Sequence, residues 1–384
     1  VTLRISWREA SARRLERQFL ANPAERGAGA PAEVVAAMLG AHAQVPSAAE
    51  VSVGVRAEGV TRADVGAALW EDRSLVRTHG PRGTVHLLPT RELPLWSTVL
   101  TAVPVGPSPF PPDVRLTEEQ AGQVVAAIGE ALEGVCLTVD ELGQEVVART
   151  GPWAGDLVMP AFQELWPRWR QVLHRAGQAG ALSFGPHRGR RVTYTRPPHF
   201  APLPPERALR EFVRRYLAAY GPATPQHFAK WLAAPGGWAA GLFGELAAEG
   251  EIEEVLFEGA PAWVAAADID FPDTAVRGVR LLPYFDAYVI AAQPRELLFP
   301  GAAYRRALAG GQAGNHPVLL VDGVVAGVWH QRRRGRRTTI TVEPLGRLTE
   351  RQERELGERV ERVGEVLEAR AELVIGEVTA GPHA

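Results

Sequence analysis

Apolar and polar positions along the chain repeat one order of elements. From Leu116 to Ala131 apolar residues recur at helical spacing. Thr138-Val-Asp-Glu-Leu142 then opens a second helix, with a threonine to cap it and acids in its first turn. A third helix is predicted over about Asp156 to Arg175. Two short alternating runs follow, Ala181–Phe184 and Arg191–Tyr194, on either side of the turn-rich Gly185–Arg190, and they predict a β-hairpin. Three helices and a hairpin is the order of a winged helix. It returns as a helix over Glu206–Tyr220, a helix capped by Thr224 with Pro225 in its first turn, a helix over Trp238–Ala248, and hairpin strands Glu251–Phe257 and Pro261–Ala265. A looser copy lies at the N-terminus, with helices near 7–20, 31–42, 47–57 and 61–70 and strands near Ser74–Thr78 and Gly83–Leu88. Beyond Arg280 strands dominate: Val318–Val321, an Asp322-Gly323 hairpin turn, Val324–His330 and Thr338–Val342. A charged amphipathic helix over Thr349–Arg370 closes the pattern.

The expected fold is therefore α+β: three tandem winged-helix (helix-turn-helix) domains at 1–110, 111–200 and 201–280, and a small β-barrel-like domain with a C-terminal helix at 281–384. Proline-rich breaks at 104–112 and 197–205 supply boundaries. The 384 residues, 46% hydrophobic and 22% charged, can bury several cores. No apolar run approaches the roughly 20 residues that span a bilayer, and Arg4 and Arg8 interrupt the first stretch. These features predict a cytoplasmic, nucleoid-associated monomer that makes no membrane contact. Cys136 is the only cysteine and the ten histidines show no helical pairing, so neither a disulfide, a metal nor a cofactor is expected.

A formal net charge of −2 gives no global attraction to phosphate, but the charge is unevenly placed. Between Arg168 and Arg196 lie seven arginines and no acid, and Arg332, Arg333, Arg334, Arg336 and Arg337 form a second cluster. Such runs suit phosphate contacts or a solvated face. On the first reading Arg188, Arg190 and Arg191, at the predicted hairpin of the second unit, are candidate DNA-binding residues.

Three short motifs could carry chemistry. His42-Ala43-Gln44 ends the apolar helix that contains Val34, Val35 and Met38, just before Pro46. Residues two apart share a face only in extended chain, which Pro46 favours, so His42 and Gln44 could act together. The other reading is a histidine near a helix C-terminus. Arg77-Thr-His-Gly-Pro-Arg-Gly-Thr-Val-His86 is a hairpin crowded with polar groups, or an ordinary wing in which His86 is a cross-strand partner. Asp286 and Tyr288, in Leu282-Pro-Tyr-Phe-Asp-Ala-Tyr288, fit a buried hydrogen-bonded pair better than catalysis. The chain lacks a phosphate-binding G-x-x-x-x-G-K-[ST] loop, a G-x-S-x-G elbow and a dinucleotide fingerprint.

These motifs, in their order and spacing, have a counterpart in one family. Trp7-Arg-Glu-Ala with Arg17-Gln-Phe-Leu20, Leu39 through Glu50, Arg77 through Leu87, Leu282 through Tyr288, and His316 through Gly323 with Gly327-Val-Trp329 together resemble the AlkZ/YcaQ-like bacterial DNA glycosylases. Those enzymes act on bulky alkylated purines and interstrand crosslinks. The resemblance implies winged helices and a β-barrel in a C shape around double-stranded DNA that contains alkylated bases. It also implies a hairpin that probes the lesion, so that Arg77, Arg82, Thr84 and His86 become DNA-binding candidates. The family's Gln-x-Gln or Gln-x-Asp catalytic motif falls on His42-Ala43-Gln44 and departs from both at the first position. The expected activity is monofunctional excision of N7- or N3-alkylated purines, with crosslink unhooking as an extension. The competing expectation is a non-catalytic winged-helix DNA-binding protein, either a regulator or a lesion-sequestering resistance protein.

Overall fold

The computed structural model describes residues 2–381 apart from 28, 105, 107, 109, 162, 163, 275, 309 and 310. It is a mixed α+β chain in two compact units, Val1–Asp72 with Arg210–Ala384, and Arg73–Leu209.

The first unit begins with the helix Trp7–Arg17, started by a reciprocal cap in which Ser6 and Glu9 satisfy each other's backbone N–H. The helices Ala30–Ala37, Pro46–Gly54 and Arg62–Trp70 follow. The second of the N-terminal helices stops five residues short of the expected 42. Leu39 and Gly40 both take positive φ, and the Gly40 N–H donates back to the Val35 carbonyl at 2.9 Å, a glycine-based helix stop that sends the chain into an extended segment. The helices Pro205–Tyr220, Pro225–Leu232 and Gly236–Ala248 and the hairpin Ile252–Phe257/Ala260–Ala265 lie where the apolar pattern puts them. Arg4–Ile5 joins that hairpin as a parallel third strand.

A five-stranded sheet, curled as a half-barrel, occupies the C-terminal part, in the order Val279–Leu282, Val318–Val321, Val324–Arg334, Arg337–Pro344, Arg370–Ile375. Asp322 and Gly323 both have positive φ, as the hairpin turn requires. The last helix is Glu350–Val366, shorter than expected. Glu368 at φ 51 breaks the chain away, and Arg370–Ile375, which the charge pattern hid, returns as a parallel edge strand. Leu356, Val360, Val363 and Val366 of the helix pack on Leu281, Trp329, Ile340 and Val342 of the sheet, and Val51 from Pro46–Gly54 shares that core.

In the second unit the hairpin Leu75–His79/Val85–Pro89 packs on the region 177–184, where the Thr78 hydroxyl donates to the Leu182 carbonyl at 3.1 Å. The helices Glu118–Ala131 and Val139–Thr150 are capped by Thr117 and Thr138. The helix expected over Asp156–Arg175 does not form. Leu157–Ala161 pairs instead with Glu164–Pro167, a 3₁₀ turn spans Arg168–Val172, and only Leu173–Gln178 is helical. Pro160 and Pro167 explain this, since each lacks the N–H that a helix interior needs and clashes with the preceding turn. Residues 162 and 163 of that expected helix, and 105, 107 and 109 of the proline-rich break, lie outside the described residues. The hairpin Ser183–Arg188/Arg191–Thr195 completes a small sheet with Leu137–Thr138.

One buried polar cluster ties distant parts of the first unit together. Arg56, fully buried, donates to both oxygens of Asp286 at 2.7 and 2.8 Å, and the Ser52 hydroxyl donates to the same carboxylate at 2.7 Å. Asp286 also accepts from the Tyr288 N–H at 3.0 Å, so the expected buried, hydrogen-bonded Asp286–Tyr288 pair is present. Arg14, buried on the first helix, binds the carbonyls of Gly221, Pro222 and Gln293. Removing one partner of a buried ion pair strands the other charge, whereas replacing both by apolar groups does not. Asp286→Ala should therefore cost about 3–5 kcal/mol in urea unfolding. The double variant Arg56→Met/Asp286→Leu should lose less than either single change; equal or larger loss in the double variant would show that the charges do not act as a pair.

Candidate active site and candidate DNA-binding residues

The extended segment after Gly40 carries the first motif. Ala41–His42 is a short strand, Gln44 and Val45 form a bend, and Pro46 starts the next helix. The chain is extended at the motif, as Pro46 predicts, yet the two polar residues differ in access to solvent. His42 is 7% exposed between the fully buried Ala41 and Ala43, whereas Gln44 is exposed, because the chain leaves the strand direction at the bend that begins with Gln44. The imidazole lies 6.3 Å from the Phe285 ring, at 38° to it. Phe285 is itself held at φ 55 beside the anchored Asp286. Upstream, the Tyr220 hydroxyl donates to the Met38 carbonyl, so the helix end that precedes the motif is fixed as well.

In the second unit, Arg77, Arg82, Thr84 and His86 are brought together on one hairpin. Thr78 faces His86 across the strands, and a 3₁₀ turn at Pro81–Gly83 puts Arg82 and Gly83 at positive φ. Thr84 closes the turn by donating to the Pro81 carbonyl at 2.9 Å. His86 Nδ1 lies 2.9 Å from the Thr84 carbonyl, which can only accept, so that nitrogen carries the proton. The Arg77 guanidinium is half-buried, 4.6 Å over the Phe184 ring. Arg82 and Thr84 are the partly exposed members at the turn.

The acid-free arginine run looks different once folded. Arg175 pairs with Glu118 at 2.8 Å, Arg168 with Asp156 at 3.2 Å, Arg188 with Glu141 at 2.8 Å, and Arg196 with Glu133. Arg188 also donates to the Cys136 carbonyl at 2.7 Å. Arg170 stacks 3.5 Å over Trp166. Arg190 and Arg191 stand exposed at the hairpin turn. Carboxylates from preceding elements thus neutralise much of a run that is purely basic in sequence.

A family model described as DNA glycosylase AlkZ-like matches residues 35–366, which include the His42 motif and the C-terminal helix. The interstrand DNA cross-link repair glycosylase of Streptomyces sahachiroi is 32% identical over 341 residues, covering 85% of this chain and 88% of that protein. This chain belongs to the AlkZ-like DNA glycosylase family. The solved structure of Streptomyces sahachiroi DNA glycosylase AlkZ agrees in fold, with a TM-score of 0.76 at 27% identity, covering 97% of this chain and 100% of that one.

In this AlkZ-like chain, Arg56, Ser52 and Phe285 are the residues around the motif that sequence reading missed. The available signal was an arginine four residues after a serine in the otherwise apolar Val51-Ser-Val-Gly-Val55, where a lone charge needs a buried partner. Among the described residues no group of three or more His, Cys, Asp or Glu side chains is placed to hold a metal ion.

Burial lowers the pKa of His79 to about 4 and that of His86 to about 3. Both rings are neutral at pH 7. An unfolded histidine titrates near 6.5, so as the pH falls below about 6.5 the unfolded chain takes up protons that the folded chain refuses. Stability is then present above that value and lost as the pH falls towards the folded pKa. Between pH ~7.5 and pH ~5 each ring should cost roughly 2 kcal/mol. Urea unfolding of the His79→Gln/His86→Gln variant should show a shallower pH dependence than wild type over this range, and identical slopes would mean that the rings are not buried neutral.

Proposed function

We propose that this chain is a monofunctional DNA glycosylase that hydrolyses the N-glycosidic bond of N7- or N3-alkylated and other bulky purines in duplex DNA. The observation that carries the reading is 32% identity over most of the chain to a crosslink-repair glycosylase; the resemblance of sequence motifs sets the His42-Ala43-Gln44 segment against the family's Gln-x-Gln. That relative's name extends the proposed substrates to interstrand crosslinks. Three successive sets of helices followed by a hairpin support a reading as winged helices that dock on the duplex, with Arg82, Thr84, Arg190 and Arg191 at exposed or partly exposed turns.

Alkylation at N7 or N3 makes the purine a cationic leaving group, so the protein has only to place a water and tolerate oxocarbenium-like charge on the sugar. Gln44 can orient water through its amide but cannot take its proton. A neutral imidazole can, which gives His42 the part of general base. Strand cleavage through a Schiff base needs an amine nucleophile. Lys230, the only lysine, sits exposed on the helix Pro225–Leu232, so the reaction is proposed to stop at the abasic site. A non-catalytic DNA binder is the second reading, favoured by the replacement of the family's first glutamine by a largely buried histidine.

Single-turnover excision from N7-methylguanine duplex, read as alkali-labile product, separates the two. Wild type should produce abasic sites above spontaneous depurination, with a rate that rises through the imidazole pKa and then levels. His42→Ala should lower the rate by a factor of roughly 10²–10⁴ without weakening DNA binding, and His42→Gln should keep some activity and lose the pH limb. Absence of product from wild type would establish the binder, and a normal rate in His42→Ala would transfer the water to Gln44 or another group.

A further inference from the structure

The helix Glu350–Val366 has a second face besides the one in the sheet core. Along it Arg351, Arg354, Glu355, Glu358, Arg359 and Arg362 recur at three- and four-residue spacing and line one wall of a cleft of about 520 Å³. Arg277–Leu282, with Leu20, Ala21, Pro23 and Val55, line the rest of it. Six arginines thus meet two glutamates in one cleft, in a chain whose formal net charge is −2.

Three of these arginines have nearby carboxylates. Arg351 pairs with Glu355 at 2.6 Å, Arg362 pairs with Glu365 at 2.9 Å while also binding three backbone carbonyls, and Arg359 lies a longer 3.7 Å from Glu358. The other three do not. Arg280 donates only to carbonyls, those of Leu20, Arg277 and Gly278, at 2.5 to 3.4 Å, and burial lowers its pKa. The exposed side chains of Arg277 and Arg354 have no carboxylate partner among the described residues. Glu355 and Glu358 only partly offset the six guanidiniums of the cleft, and Arg277 and Arg354 each carry a planar donor fork that no carboxylate engages, while Arg280, held on carbonyls through Nε and Nη1, adds a fixed charge beside them. The volume lies within the range of small-ligand sites, roughly 300–1,000 Å³.

We propose that this cleft binds phosphoryl groups, two or more of them on one ligand, through Arg277, Arg280 and Arg354. Two sources share that chemistry, a stretch of DNA backbone and a free phosphorylated small molecule. The site does not depend on base excision at His42.

The test is calorimetric titration of the full chain with inorganic pyrophosphate at low ionic strength. One-to-one binding is expected, weakened about tenfold or more by the Arg277→Glu/Arg354→Glu pair, because two favourable charges become repulsive. A control with the same charge change, Arg333→Glu/Arg336→Glu at the exposed end of the hairpin Val324–Arg334/Arg337–Pro344, should leave it within about twofold. A short undamaged duplex added to the complex identifies the source. Displacement of pyrophosphate assigns the cleft to DNA backbone, and simultaneous binding assigns it to a small phosphorylated ligand. No measurable binding, or equal weakening by both charge reversals, overturns the proposal. Excision measured on the Arg277→Glu/Arg354→Glu variant keeps the two readings apart, since loss of pyrophosphate binding with chemistry intact is a result about the cleft alone.

Discussion

Arg56 and Asp286 lie 230 positions apart in sequence and meet as a fully buried, two-pronged ion pair with Ser52 as third partner. Ser52 on the helix that follows the His42 motif and Arg56 in the turn just beyond it are thereby joined to the segment that carries Phe285, whose ring lies 6.3 Å from that of His42. A buried charge pair is weak evidence for stability, since desolvation offsets much of the attraction. Its effect is geometric: a bidentate fork allows little freedom, and any slip leaves charges without partners. Val51, on the same helix, enters the core of the C-terminal sheet. The motif is thereby referenced to the sheet through one polar and one apolar contact.

The same constraint explains what could be read from sequence. Helices with local stop and start signals were legible: Thr138 and Thr224 each cap a helix where expected, and Asp322-Gly323 makes the expected turn. Elements that depend on distant partners were not. The stretch 156–175 is a different case: its apolar content is helix-like, but Pro160 and Pro167 exclude a helix interior and the stretch pairs with itself, Leu157–Ala161 on Glu164–Pro167, so the local signal was present and was outweighed. Arg370–Ile375 reads as the tail of a charged helix until the sheet edge that accepts it is known. Within the candidate site the motif itself was visible and its surroundings were not, because Arg56 reveals its role only through Asp286.

Charge was the most misleading signal. An arginine run without acids suggested a phosphate track, yet Glu118, Glu133, Glu141 and Asp156, supplied by elements earlier in the chain, pair with four of its members. Conversely the C-terminal helix, with six glutamates to four arginines in sequence, lines the cleft with a face on which arginines outnumber acids. What matters for anion recognition is the charge left over after folding, and that is set by packing.

Hydrogen exchange across residues 38–57 in Asp286→Asn tests most directly whether the buried pair holds the motif in place. The substitution keeps the volume and removes the charge. The account predicts faster exchange at Ala41 through Val45 and along the following helix, with the hairpin at 75–89 unchanged. Protection at 41–45 equal to wild type would contradict it, leaving the ion pair a local feature with no bearing on His42.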